Sequence, residues 1–253
     1  MSELAIIGGT GLTRLKNLEI ERREVLHTPY GEPSGPLIHG QICCTEVVFL
    51  ARHGTGHTIP PHNVNYRANL WALKHIGVKK VIAVAAVGGI HSELRPGRLA
   101  VPDQIIDYTY GRDQTFCSDG TNGGVIHIDF TEPYCQELRE QLIAAADAAG
   151  IDLMPRGTYG ATQGPRLETA AEIDRMERDG CDMVGMTGMP EAALARELGL
   201  CYATCAVSAN WAAGRGEGPI SMEEIDQHLK AGMEQVRTLV ETVVPRLCAV
   251  PTA

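Results

Sequence analysis

The sequence predicts one α/β domain spanning residues 1–253, with a central mixed β-sheet flanked by helices. Short apolar runs alternate with amphipathic helical patterns along the chain, which is typical of this fold class. Apolar residues make up 44% of the chain, enough for a substantial core. Neither an internal repeat nor a Ser/Pro-rich linker divides the sequence, so a single domain is expected.

Strands are predicted wherever a short apolar run lies between turn residues. The run at 81–87 contains only Val, Ile and Ala, as expected for a central strand covered on both faces. The predicted strands are 4–8, 47–51, 81–87, 154–162, 183–186 and 201–208.

Helices are predicted from apolar residues at a 3.6-residue period and from signals at the helix ends. Gly77 and Gly150 stand where two helices should end. Ser221 and Glu224 form a capping box that opens the last helix. The predicted helices are 63–76, 138–149, 170–178, 190–198 and a long one from 221 onward.

Charge and cysteine usage restrict the classes of function. Lys+Arg 22 against Asp+Glu 31 leaves a net charge of −9 without a basic run, which argues against nucleic acid and membrane partners. No apolar stretch approaches about 20 residues and no signal peptide begins the chain, so a soluble cytoplasmic protein is expected. The 8 cysteines lack CxxC pairs and are expected to be reduced packing residues.

The first candidate phosphate loop, Gly8-Gly9-Thr10-Gly11, follows the first strand. Its backbone N–H groups and the Thr10 hydroxyl can converge on an anion. A dinucleotide site is disfavoured because Thr10 and Arg14 stand where the G-x-G-x-x-G spacing requires glycines. A tight turn without a ligand is the alternative.

Two further loops carry candidate anion-binding side chains. Arg52-His53-Gly54 ends the second strand and offers a planar bidentate cation beside an imidazole donor. The same tripeptide occurs in histidine phosphatases, but there it follows the first strand. A metal held by His53 and His57 is disfavoured because the intervening glycines oppose a helix. Thr187 precedes a helix and is either a phosphate donor or a plain N-cap.

A long match to a known family begins at the second strand. It reads Leu50-Ala51-Arg52-His53-Gly54, His57-Thr58-Ile59-Pro60 and Asn65-Tyr66, and continues through Gln163-Gly164-Pro165-Arg166, Met186-Thr187 and Pro190-Glu191. These motifs resemble the methylthioadenosine phosphorylase branch of the trimeric purine nucleoside phosphorylases. The resemblance covers nearly the whole chain and implies that family's fold.

The resemblance implies that inorganic phosphate displaces a purine from C1′ of a ribose, without a metal or an organic cofactor. It assigns phosphate binding to Thr10, Arg52, His53, Thr187 and the backbone at Ala86, with Met186 beside the ribose. Relatives often have a threonine where this chain has Ala85, so one hydroxyl is missing. The family also implies a homotrimer, or a dimer of trimers, in which His127 reaches a neighbouring 5′ pocket.

Two substitutions relative to the family predict which purine is bound. Ala209-Asn210-Trp211-Ala212 stands where relatives that act on adenine have Thr-Asp-Tyr-Asp, and Leu167-Glu168-Thr169 is similar to the Phe-Glu-Thr of 6-oxopurine phosphorylases. Ionised Glu168 is an acceptor for the N1–H of a 6-oxopurine, and the Asn210 amide can donate to O6 or N7. Glu168, Asn210 and His53 are therefore the predicted catalytic residues.

The last helix predicts the 5′ substituent. Met222 stands where 6-oxopurine relatives that bind a free 5′-hydroxyl usually have a histidine, and both Met222 and Ile225 are apolar, so a methylthio group is favoured. Asp226 departs from the apolar pattern of relatives. Leu167, Trp211 and Ala212 complete the predicted substrate contacts, and core packing is the alternative role for Met222 and Ile225.

The combined hypothesis is phosphorolysis of S-methyl-5′-thioinosine to hypoxanthine and 5-methylthioribose 1-phosphate. Two alternatives within the family are a methylthioadenosine phosphorylase and an inosine/guanosine phosphorylase. Two alternatives outside it are a hydrolase of the histidine-phosphatase type and a nucleoside sensor without catalysis.

Overall fold

The central strand of the fold is β5, Lys80–Gly89, in a mixed sheet. The computed structural model describes residues 2–9, 17–117 and 124–248. β5 pairs in parallel with β1 and β11 and antiparallel with β10. Its small and β-branched side chains are buried almost throughout, because helices cover both faces of the sheet.

The strands of the described residues form one connected sheet in the order β2-β3-β4-β1-β5-β10-β9-β7, with β11, β6 and β8 joined through β5. The remaining strands are β1 Leu4–Gly8, β2 Glu19–Glu24, β3 Leu37–Ile42, β4 Thr45–Ala51, β6 Leu99–Ala100, β7 Gln104–Asp107, β8 Leu153–Met154, β9 Thr158–Ala161, β10 Met183–Gly185 and β11 Cys201–Trp211. The helices are α1 Tyr66–His75, α2 Gln136–Ala148, α3 Ala170–Arg178, α4 Gly188–Glu197 and α5 Met222–Cys248.

Two large apolar clusters hold the helices on the sheet. Leu70 of α1 and Leu194 of α4 belong to one cluster. Leu142 of α2 and Val240 of α5 belong to the other. Each of these side chains is fully buried, and burying a leucine or valine contributes about 1.5–3 kcal/mol. The mixed sheet flanked by helices confirms the predicted fold class.

Several predicted strands differ in extent from the observed ones. The run at 154–162 is two strands, β8 and β9, since Gly157 between them has a left-handed φ of 147° and turns the chain. β11 continues past the predicted end at 208, because Asn210 and Trp211 pair with Gly88 and Gly89 after a register shift. Asn210 therefore lies in a strand, where we expected a loop.

Strands β2, β3, β6 and β7 were not predicted. The sequence of β2, Glu-Ile-Glu-Arg-Arg-Glu, is largely exposed at the edge of the sheet and lacks an apolar run. β6 has only two residues, so no periodicity marks it. Strand pairing, and not local sequence, defines these elements.

The helix predictions hold with shifted starts. α3 has the predicted bounds, and Thr169 caps it through a complete capping box with Glu172. α1 begins at Tyr66, because Asn65 caps it and 61–63 forms a 3₁₀ turn instead. Ser221 Oγ accepts the Glu224 N–H at the start of α5, as predicted. Within the described residues no helix is both long and apolar enough to cross a bilayer.

The prediction of reduced cysteines is wrong for one pair. Cys135 at the start of α2 and Cys201 at the start of β11 form a disulfide with their Cα atoms 5.0 Å apart. Cys135 also donates its backbone N–H to Tyr202 O, so the two segments are adjacent although 66 residues separate the cysteines. The spacing of cysteines in the sequence does not reveal this adjacency. Cys43, Cys44, Cys181 and Cys205 are free, as predicted.

We expect the disulfide to contribute to stability. Replacing both Cys135 and Cys201 by serine should lower the free energy of unfolding by about 4 kcal/mol, because the bond restricts the unfolded chain. Urea denaturation without reductant measures the loss, and Cys43→Ser, at an exposed free cysteine, is the control. Equal stability of the double variant and the oxidised wild type would contradict the prediction.

Candidate active site

A cavity of about 570 Å³ lies where several strands of the sheet end. Parallel strands β1, β4, β5 and β11 contribute their carboxyl-terminal ends to it, which is the usual binding edge of an α/β sheet. Predicted residues that line it are Arg52, His53, Ala86, Leu167, Glu168, Met186, Thr187, Asn210, Ala212, Met222 and Ile225.

Three predicted residues are not part of this lining. Thr10 lies outside the described residues. Trp211 lines a smaller neighbouring pocket together with Gly216, and it does not line the main cavity. His127 is exposed and is not among the residues that line the cavity of its own chain.

Arg52 is held in the floor of the cavity by a buried ion pair. Its Nε and Nη2 donate to the two carboxylate oxygens of Glu191 at 2.6 and 2.7 Å, and its Nη1 donates to Val84 O at 2.9 Å. Glu191 raises the pKa of Arg52 above its ordinary value, against the effect of burial. The Nε/Nη2 edge that we predicted for phosphate is therefore occupied, and one N–H on each Nη remains for a ligand.

Glu191 is the partner that the sequence interpretation missed. It is 1% exposed, and Tyr202 donates its hydroxyl to Oε1 at 2.8 Å. The carboxylate cancels the charge of Arg52, so the phosphate end of the cavity is built from hydrogen-bond donors more than from net positive charge. Glu191 belongs to the Pro190-Glu191 motif of the family resemblance, which was the only signal for it.

His53 is neutral and leaves an acceptor atom for a ligand, where we predicted a donor. Its Nδ1 donates to Ile59 O at 2.8 Å. Burial, and next the charge of Arg52, lowers the pKa of His53 to about 4. At neutral pH its Nε2 therefore carries a lone pair, which can accept a hydrogen bond from a phosphate P–OH or a sugar hydroxyl.

The metal interpretation of the histidines finds no support in the described part of the chain. The rings of His53 and His57 lie 4.8 Å apart, but Nδ1 of His53 is engaged and His57 adopts a left-handed φ of 54° outside any helix. No group of three or more His, Cys, Asp or Glu side chains within residues 2–9, 17–117 and 124–248 could hold a metal.

Thr187 lies at the N-terminus of α4 beside the arginine. Its side chain makes no capping hydrogen bond, so the plain N-cap interpretation is not supported. Thr187 is buried and lines the cavity. The chain departs from helical geometry at Met189, so Thr187 does not stand at the terminus of a continuous helix, and its hydroxyl is the candidate anion donor at this position. Ala85 also lines this end and has no hydroxyl to offer.

The two residues predicted to read the base, Glu168 and Asn210, also line the cavity. Oε1 of Glu168 accepts the Thr162 hydroxyl at 2.7 Å. Asn210 donates one amide N–H to Trp211 O at 2.6 Å and keeps its second N–H. The register shift at Ala209 breaks the strand alternation, as bulges beside active sites often do. Ala209, Asn210 and Ala212 consequently all border the cavity.

Arg112 does not line the cavity, but it joins the segment at Met186 and Met189 to the loop at Gln163. It donates to Met186 O at 2.8 Å and Met189 O at 2.6 Å on one side, and to Gln163 O at 2.8 Å on the other. Its guanidinium lies 5.6 Å from the centre of the Tyr66 ring. Sequence patterns gave no sign of this role, since a lone arginine in a loop has no distinguishing pattern.

Comparison with known proteins identifies the family. The model of the phosphorylase superfamily matches residues 3–245. The chain belongs to the phosphorylase superfamily. As a member it is an enzyme of the nucleoside phosphorylase type, which transfers a pentosyl group. This membership does not support the histidine-phosphatase interpretation of Arg52-His53-Gly54.

Individual relatives of this phosphorylase cover nearly its full length. It is 54% identical over 244 residues to the probable S-methyl-5′-thioinosine phosphorylase of Pseudomonas syringae pv. tomato, covering 96% of this chain and 99% of the relative. It is 46% identical to the 6-oxopurine nucleoside phosphorylase of Pyrococcus furiosus, covering 97% and 93%. The solved methylthioadenosine phosphorylase of Schistosoma mansoni, in complex with adenine, superposes with a TM-score of 0.93 at 32% identity, covering 98% and 92%.

The neutral state of His53 should make stability depend on pH. The unfolded chain titrates this group near its ordinary pKa of 6.5, whereas the folded value is about 4. Between these values the unfolded state binds more protons, so stability falls as pH is lowered through 6.5. Between pH 7 and pH 4 the wild type should lose roughly 3 kcal/mol more than His53→Asn, which keeps a donor for Ile59 O. Urea denaturation across pH measures this, and equal losses would contradict it.

Removing the partner of Arg52 should be costly. Glu191→Ala leaves a buried cation unpaired and should lower the free energy of unfolding by about 3–5 kcal/mol, with a raised KM for phosphate. Glu191→Gln keeps one acceptor for the guanidinium, so its loss of unfolding free energy and its rise in KM for phosphate should both be smaller. Denaturant unfolding and phosphate kinetics provide the measurements. A Glu191→Ala variant as stable as the wild type would show that the pair is dispensable.

Proposed function

We propose that this phosphorylase cleaves S-methyl-5′-thioinosine, releasing hypoxanthine and 5-methylthioribose 1-phosphate. Phosphate is the co-substrate, and the reaction needs neither a metal nor an organic cofactor. The observation that carries the proposal is that Glu168 and Asn210 line the same cavity as Arg52 and His53. A purine bound in that cavity can meet an acceptor and a donor.

The base edge discriminates between purines. A 6-oxopurine offers N1–H as a donor and O6 as an acceptor, whereas adenine offers N1 as an acceptor and a 6-amino donor. Oε1 of Glu168 already accepts from Thr162, so Oε2 is the oxygen that is available to N1–H. With adenine the carboxylate would face a lone pair and remain unpaired.

The 5′ end of the cavity favours an apolar substituent. Ile220, Met222 and Ile225 line it, and none of them can satisfy a hydroxyl. Burying a methyl group there contributes about 0.8 kcal/mol. Asp226 is exposed and does not line the cavity, so its charge does not alter this chemistry.

The described groups fit a displacement at C1′. The free N–H groups of Arg52 and the Thr187 hydroxyl orient phosphate, and His53 Nε2 accepts its P–OH. One phosphate oxygen forms the new bond to C1′ as the glycosidic C–N bond breaks. The electron pair of that bond passes to the purine, where the free Asn210 N–H stabilises the developing charge at N7 or O6.

Relatives support both halves of the proposal. The 54% identical Pseudomonas syringae protein is named for methylthioinosine, and the Pyrococcus furiosus protein for 6-oxopurine nucleosides. The latter favours a second candidate, phosphorolysis of inosine or guanosine. A third candidate is an ordinary methylthioadenosine phosphorylase, the activity for which the Schistosoma mansoni protein is named. With that activity, the carboxylate of Glu168 in this chain would have to tolerate adenine beside it.

We further propose a cytoplasmic homotrimer, or a dimer of trimers. Met222 is 66% exposed and Leu167 43% exposed in the single chain, although both line the cavity. A neighbouring subunit that contributes His127 would cover this open end. Light scattering on the purified protein tests the assembly, and a monomer that retains full activity would contradict it.

A substrate panel tests the function directly. With saturating phosphate, kcat/KM for methylthioinosine should exceed that for methylthioadenosine by roughly 10³-fold, because adenine leaves buried polar groups unpaired. Inosine should be a poorer substrate because its 5′-hydroxyl lies against the apolar side chains of Met222 and Ile225, which a methylthio group suits better. Release of free purine and its dependence on phosphate are measured. Faster release of adenine would contradict the proposal, and tight binding without release would indicate a sensor.

Exchange of the base-reading groups provides the matching variant. Asn210→Asp combined with Glu168→Gln should shift preference toward the 6-amino purine, because it supplies a donor for N1 and an acceptor for the amino group. The ratio of kcat/KM for methylthioadenosine to that for methylthioinosine is the readout. An unchanged ratio would show that these side chains do not read the base.

A further inference from the structure

The carboxylate of Glu168 depends on a second side chain for its position. Glu168 lies in the loop between β9 and α3 and is only half-buried. A glutamate has several rotatable bonds, and holding it in one rotamer costs conformational entropy. A carboxylate that selects between bases must nevertheless keep one orientation.

Thr162 provides the fixed contact. Its Oγ1 lies 2.7 Å from Oε1 of Glu168 and 3.3 Å from Gly185 O. Gly185 O already accepts the backbone N–H of Thr162 at 2.8 Å. A hydroxyl has one hydrogen, and the closer, charged acceptor is the stronger partner. The hydroxyl of Thr162 therefore donates to Glu168.

Thr162 is itself fixed by burial and by hydrogen bonds of its backbone. Only 7% of it is exposed, and a β-branched side chain has restricted rotation about χ1. Its N–H is bonded to Gly185 O, and its carbonyl accepts from Arg112 Nη2 at 3.2 Å. These contacts fix the hydroxyl relative to strands β9 and β10, which carry the rest of the site.

The second carboxylate oxygen is left for the base. No described residue donates a hydrogen bond to Oε2 of Glu168, and Glu168 lines the cavity. We propose that Thr162 is a positioning residue that sets base selectivity, by holding Oε1 of Glu168 so that Oε2 presents to N1–H. This inference rests on the proposed function, since it concerns how the same carboxylate reads the purine.

The fixed carboxylate acts against the wrong base as well as for the right one. A free glutamate could rotate away from the N1 lone pair of adenine and relieve the repulsion. Held by Thr162, it cannot, so the cost of binding adenine is retained. Loss of the hydroxyl should therefore reduce activity on the 6-oxopurine and relax rejection of the 6-aminopurine.

Thr162→Val is the decisive variant, because it removes the hydroxyl with little change of shape, and Thr162→Ser is its control. In Thr162→Val, the ratio of kcat/KM for methylthioinosine to that for methylthioadenosine should fall roughly tenfold, the effect of losing one hydrogen bond to a charged group. In Thr162→Ser it should stay within about twofold, and KM for phosphate should change in neither. If the valine variant does not fold, Thr162→Ala removes the same hydroxyl. An unchanged ratio in the variant without a hydroxyl, or an equal fall in the serine variant, overturns the inference.

A double-mutant cycle separates this inference from the proposed function. In a Glu168→Ala background, Thr162→Val should have no further effect on the ratio, because its partner is absent. An additional fall in that background would show that Thr162 acts independently of Glu168 and would overturn the inference. If Glu168→Ala leaves the ratio unchanged, the proposed base reading fails. If Glu168→Ala lowers it and Thr162→Val does not, the role of Thr162 alone fails.

Discussion

The buried ion pair between Arg52 and Glu191 is the constraint on which the site depends. It joins the end of β4 to the start of α4, two segments 139 residues apart. Charges taken out of water are tolerated when they are paired and hydrogen-bonded, and Val84 O and the Tyr202 hydroxyl each add one hydrogen bond to the pair. Because the pair is overall neutral, its electrostatic cost among the apolar strands is smaller than that of an unpaired arginine.

The paired Arg52 and the neutral His53 determine how an anion can be bound in the cavity. Arg52 contributes its remaining N–H groups, and His53 is kept uncharged by burial and by the adjacent guanidinium. The site therefore discriminates by donor and acceptor direction. The same principle applies at the base wall, where Glu168 and Asn210 each have one atom engaged by protein and one left free. Arg112 ties the loops of both regions together through main-chain carbonyls. A hydrogen bond from the protein to one atom of such a side chain orients its other polar atom, so less side-chain entropy is lost when a ligand binds.

Local sequence was informative where local forces decide structure. The helix predicted over 170–178 has the observed bounds of α3, and the continuous run of Val, Ile and Ala predicted the central strand. Prediction failed where pairing decides, as in edge strand β2 and in the register shift that places Asn210 at the end of β11. It failed likewise for Cys135 and Cys201, whose proximity results from the packing of α2 against the end of the sheet.

The sequence by itself determined the fold class, the loops that line the cavity and the residue types proposed to face a purine, because these follow from periodicity, motif and hydrogen-bonding capacity. Only the tertiary structure decided which atom of each side chain is available. It assigned the planar edge of Arg52 to Glu191, Nδ1 of His53 to a carbonyl and one oxygen of Glu168 to Thr162. Each of these partners is a buried group brought close by folding. A hydrogen bond depends on distances of a few tenths of an ångström, which sequence spacing does not encode.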